Sequence, residues 1–181
     1  MRAAVLAFAF LGPNMAVVQP APVNHYPPCR VEAENAIPFK DATSRDDVVV
    51  RIVGDPCYEA TLTIEIHDSG GALLYQYKAP FKRHVATSWE DPLLSEDAQK
   101  LALTIVSLEH PKFTDQLPAW LPKDQYYDKY SEAIEVSRVK YNSLRTQKRL
   151  VFTHPTRYEE WVSVYFDIED KVAKIVLKGG V

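Results

Sequence analysis

The stretch Thr61-Leu-Thr-Ile-Glu-Ile66 alternates polar and apolar side chains without a break, and no other feature restricts the fold so tightly. A period of two puts Leu62, Ile64 and Ile66 on one face of a strand, whereas a helix would scatter them around its axis. Asp68-Ser-Gly-Gly71 follows, a turn signal because glycine accepts positive φ without steric cost. Leu73, Tyr75 and Tyr77 then alternate with Leu74, Gln76 and Lys78, which predicts a return strand and therefore a hairpin. Upstream, Val48 to Val53 is a β-branched run interrupted only by Arg51 and closed by Gly54-Asp-Pro56, a further strand.

The period changes after the hairpin. Ser95 is a candidate N-cap with Glu96 and Asp97 in the first turn, and Ala98, Leu101, Ala102, Ile105 and Leu108 recur at helical spacing up to His110-Pro111. Pro111, Pro118 and Pro122 surround Trp120 in an ordered loop. Asp124 to Gln147 contains neither Gly nor Pro, and Tyr127, Tyr130, Ile134, Tyr141 and Leu144 fit one face, which predicts a second helix. The β-branched content of Ile134 to Val139 opposes that reading locally. Trp161 to Phe166 and Val172 to Leu177 flank Asp167 to Lys171 as a second hairpin, with His154 to Trp161 as a surface turn before it. Strands followed by helices and then strands indicate an α+β fold. The expectation is one antiparallel sheet of two hairpins plus a further strand, with two helices packed on one face.

The N-terminus carries an address. Met1-Arg2 supplies a positive charge, Ala3 to Leu11 is unbroken apolar sequence, and Gly12-Pro13 ends it. That is the layout of a secretory signal, and it falls well short of the roughly 20 residues that span a bilayer as a helix. Neither Ala16 nor Ala21 has a small residue two positions before it, so no cleavage point stands out. The competing readings are a disordered extension or a misassigned start. The expected division is a signal peptide over 1–21, a proline-rich arm over 22–46 and a single α+β domain over 47–181, in a periplasmic or secreted protein. Cys29 and Cys57 are the two cysteines, and in an oxidising compartment they most simply form a disulfide, worth about 3.5 kcal/mol by loop closure. Free buried thiols in a cytosolic protein are the alternative.

Composition excludes several classes. A net charge of −3 on 181 residues gives no general attraction to nucleic acid or to an anionic membrane. Gly-x-Gly-x-x-Gly, Walker and Gly-x-Ser-x-Gly patterns are missing, which argues against a cofactor. The five histidines show no metal-binding spacing, so no metal is expected. Lys82-Arg83-His84, with Thr87-Ser-Trp89-Glu90-Asp91 after it, is the densest polar connection and suits a carboxylate or phosphate, Arg83 being the bidentate donor. Tyr and Trp bring contact area at low entropic cost, and of the ten tyrosines and three tryptophans, seven and one respectively fall into groups at Tyr75/Tyr77, Tyr126/Tyr127/Tyr130 and Tyr158/Trp161/Tyr165. Expected contact residues are Arg83, His84, Trp89, Trp120 and Tyr126, in a non-enzymatic binding or inhibitor-like protein facing an unknown protein or envelope ligand. The alternative is a cell-envelope hydrolase using His84 or His154 with Glu90 or Glu159 as acid–base pair.

Overall fold

Leu62, Ile64 and Ile66 are fully buried in the computed structural model, which describes residues 27–86, 95–107 and 111–180. They lie on Thr61–His67 (β3), which pairs with Leu73–Pro80 (β4) in the predicted hairpin, Ile64 opposite Tyr77. At the turn Asp68 Oδ1 accepts from the backbone N–H of Gly70 and Ala72, while Gly71 takes φ +82°. On the other side β3 pairs with Asp46–Gly54 (β2), whose Val48, Val50 and Ile52 bury on the same face. The outer face is polar: Arg51 bridges Glu32 and Glu65, and Gln76 continues the row.

Cys29–Ile37 (β1) completes this sheet in the order β1-β2-β3-β4. It falls within the stretch expected to be an irregular arm. Its own apolar content is thin, and it is held instead by the antiparallel edge of β2, with Val31 opposite Ile52, and by the predicted disulfide between Cys29 and Cys57. Ser95–Ser107 (α1) packs on β1 and β2 through Ala98, Ala102 and Ile105, and Asn35 Nδ2 donates to the Val106 carbonyl at 2.7 Å near its C-terminus.

The expectation of one sheet under two helices is overturned. A second antiparallel sheet of five strands is built from Lys112–Phe113 (β5), Glu132–Ile134 (β6), Leu150–Arg157 (β7), Glu160–Asp167 (β8) and Val172–Gly180 (β9), in the order β5-β7-β8-β9-β6. The predicted second hairpin is β8–β9. Strand β7 replaces the predicted surface turn: Leu150-Val-Phe152 starts it, and Pro155 is tolerated because β5 reaches only Leu150 and Val151, leaving the far end of β7 with one neighbour.

The expected helix over 124–147 is three elements. Lys123–Tyr130 (α2) stops at Ser131, which sits in the left-handed region at φ +53° and caps it; Glu132 to Ile134 then pairs with β9, and Ser137 N-caps Arg138–Arg145 (α3) by accepting from Lys140 N–H. Of the β-branched residues that opposed a helix, Ile134 joins the strand because β9 offers it an edge, whereas Val139 lies in α3. The main core joins both sheets and α1, while a second cluster centred on Tyr126, Tyr141 and Tyr165 fills the space under α2 and α3.

Candidate functional site

Alternation on β4 turns Tyr75 and Tyr77 to the same side, toward the second sheet. There the end of β7, the start of β8 and the end of β9 meet, and a cavity of about 620 Å³ opens between them. Tyr75, Tyr77 and Arg83 line it from the first sheet; Arg157, Glu160, Trp161, Lys178 and Gly179 line it from the second, with Glu135 and Tyr127 at its margin.

Its shape depends on two glycines. Trp161 stands opposite Gly179 in the β8–β9 register, and the indole lies directly on that residue: a Cβ at Gly179 would sit 2.3 Å from ring carbons. Gly180 takes φ +136°, and a Cβ there would meet the Glu159 carbonyl at 2.6 Å. The strand end is therefore a bare backbone platform with an aromatic plate on it. Trp161 is half-buried, and no hydrogen bond joins its Nε1–H to another described residue.

The charges at the rim are mostly matched. Arg157 pairs with Glu160 at 3.6 Å and Lys178 with Glu135 at 3.4 Å. Arg83 is exposed and has no carboxylate partner among the described residues; its backbone carbonyl accepts from Tyr158 N–H, which ties the 3-10 turn Phe81–Arg83 to the β7–β8 turn. The charges of Arg83, Arg157 and Glu160 all act on the Tyr77 hydroxyl, whose pKa burial pushes up.

Behind this wall lies a layer of two histidines. His154 is 1% exposed; its Nδ1–H donates to the Pro155 carbonyl at 2.9 Å, and its Nε2 accepts from the Tyr75 hydroxyl at 2.6 Å. Desolvation lowers its pKa to about 4, so the ring is neutral near pH 7. His84 faces the Pro80 and Phe81 carbonyls through Nδ1 and the Tyr77 hydroxyl through Nε2 at 3.2 Å, and burial lowers its pKa too. Tyr77 in turn donates to the Thr156 carbonyl at 2.8 Å. Both rings thus pack against Tyr77, with centroid separations of 5.9 and 4.7 Å.

The fold brings His154 together with Arg83 and His84, which lie far from it in sequence. Glu159, at φ +61° in the β7–β8 turn, is exposed and bonds to neither histidine; Glu160 faces the cavity instead. Trp120 lies away from the cavity, half-buried under the Arg138 guanidinium at 5.0 Å. Tyr126, expected as a contact residue, is fully buried with its hydroxyl 3.1 Å from that of Tyr141, and its neighbour Tyr127 is the exposed one. Trp89, Glu90 and the proposed signal lie outside the described residues. Trp161, Lys178, Glu160 and Gly179 were not singled out as site residues from sequence; a glycine pair ending one strand of a hairpin, opposite a tryptophan on the other, is the signal that marks them.

Among the described residues no cluster of three or more His, Cys, Asp or Glu side chains is arranged to hold a metal ion. No described helix is long and apolar enough to cross a membrane, as expected of the chain. Neither a protein-family model, nor a curated protein, nor a solved structure matches it.

Proposed function

We propose that this chain is an exported, non-enzymatic binding protein that holds its ligand in the groove between the two sheets. The observation that carries the reading is the contrast between the groove and the layer behind it. The groove presents groups without a partner among the described residues: the Arg83 guanidinium and the Trp161 indole N–H. A cavity of this size with aromatic walls and a few polar groups suits a small ligand. His154 behind it is buried, neutral and bonded at both ring nitrogens, so it has no nitrogen free to take a proton from a substrate, and His84 is buried with Nδ1 turned to the Pro80 and Phe81 carbonyls and Nε2 against the Tyr77 hydroxyl. This favours binding over a hydrolase built on His84 or His154 with Glu90 or Glu159. Export is supported by the cationic–apolar N-terminus and by the Cys29–Cys57 bond, since disulfides persist mainly in oxidising compartments.

Titration of the ¹⁵N-labelled, oxidised protein with fractions of a cell-envelope extract from its host tests the binding reading. The expected result is a saturable shift of the Trp161 indole N–H and of the amides of residues 178–180. Shifts confined to another surface, or turnover of a component, would overturn it. Cell fractionation with N-terminal sequencing tests export: a shortened chain outside the cytoplasm is expected, and an intact Met1 with free thiols in the cytosol contradicts it.

A further inference from the structure

We infer that the groove takes a saccharide carrying one singly charged oxyanion, a carboxylate or a sulfate ester; the inference rests on the groove being the binding site. The floor comes first. The Trp161 indole is pressed on Gly179, and as a half-buried residue lining the cavity it keeps part of its ring open to a flat apolar surface. The C–H face of a pyranose ring has that shape, and burying it against an indole removes apolar area from water on both sides.

The rim is the second observation. Arg157–Glu160 and Lys178–Glu135 place a donor beside an acceptor on each side of the floor. A hydroxyl both donates and accepts, so neighbouring sugar hydroxyls satisfy such pairs as they displace water. A wholly apolar ligand would strip these charged groups of water and give nothing back.

Charge fixes the rest. Among the described residues Arg83, Arg157 and Lys178 stand against Glu135 and Glu160, which leaves one positive charge, located on Arg83. Its planar fork suits a carboxylate or sulfate bidentately. A phosphate monoester, at −1.5 to −2 near neutral pH, would exceed what the groove neutralises. On the floor of the groove an extended peptide fits less well, because its amides need an open strand edge. At the floor β9 has none: Gly179 is paired with Trp161 on one side and Glu132 on the other.

The test uses the full oxidised chain and four probes: a trisaccharide of two neutral hexoses and one hexuronate, the matching neutral hexose trisaccharide, a singly sulfated hexose disaccharide, and a short peptide with one carboxylate. Calorimetry gives affinity, and the Trp161 indole N–H signal reports where each probe sits. The uronate is expected to bind in the groove about tenfold or more tightly than the neutral sugar, and Arg83→Gln to remove most of that gap. Binding of the sulfated sugar in the same place supports the shared chemistry and ranks the two oxyanions. Equal affinity for acidic and neutral sugars would overturn the charge assignment while leaving the groove as a binding site. Groove shifts with the peptide and with neither acidic sugar would overturn the saccharide assignment alone. Silence from all four probes, together with no groove response to envelope fractions, would overturn the binding reading as well.

Discussion

Acidification to pH 4.5 is expected to weaken this fold through one side chain more than any other. His154 has a folded pKa of about 4 against an ordinary 6.5, and the cause is burial: the ring is 1% exposed, between Tyr75, Tyr77 and Phe152. The unfolded chain therefore binds that proton more readily than the folded one. Stability is unaffected by this group above pH 6.5 and falls as the pH drops from there toward 4. At pH 4.5 the loss is about 2.5 kcal/mol, a large share of the 5–15 kcal/mol typical of a domain. His84, lowered in the same direction, adds to the slope. Asp167, held well below the usual carboxylate range by Lys140 and Lys174 against the opposing effect of its burial, keeps its contribution until the pH falls below its ordinary value near 3.8. Urea unfolding of the oxidised protein at pH 7.5 and 4.5, beside His154→Gln, isolates the effect. Glutamine offers Tyr75 an acceptor but does not titrate, so the wild type is expected to lose about 2.5 kcal/mol more than the variant over this interval. An equal loss in both, or an NMR titration of the His154 ring above pH 6, would refute the argument.

Three further outcomes follow from local geometry. Replacing Cys29 and Cys57 together by alanine is expected to cost about 3.5 kcal/mol in urea unfolding, since the bond closes a loop of separation 28 between β1 and the segment before β3; an unchanged midpoint would mean the bond adds no stability. Gly179→Ala is expected to drive the Trp161 indole off the β9 backbone, shifting its emission and costing about 1–3 kcal/mol, and unchanged fluorescence and stability would contradict the contact. Ser131→Gly is expected to raise stability by about 0.5–1 kcal/mol, because glycine accepts the left-handed cap that serine holds under strain; a loss would show that the serine conformation is not strained.

The sequence by itself determined whatever is encoded within a few residues. The β3–β4 hairpin was legible because Leu62, Ile64 and Ile66 alternate and Asp68 to Gly71 close the turn, and α1 because its apolar residues keep a helical period. The Cys29–Cys57 bond was legible because two cysteines leave one pairing. Elements whose stability comes from a distant neighbour were not. Strand β1 exists because β2 supplies its partners, and the break at Ser131 carries neither glycine nor proline to announce it. Strand β6 forms because β9 lies beside it, which no local propensity reports. The candidate site shows the same division. Sequence marked Arg83, His84 and His154 as chemically able residues, and only the crossing of two sheets decided their roles. That crossing sealed both histidines behind tyrosines, where desolvation holds them neutral, and left Arg83 facing solvent beside Trp161. Side-chain chemistry is a property of the residue, whereas burial and partnership belong to the tertiary structure.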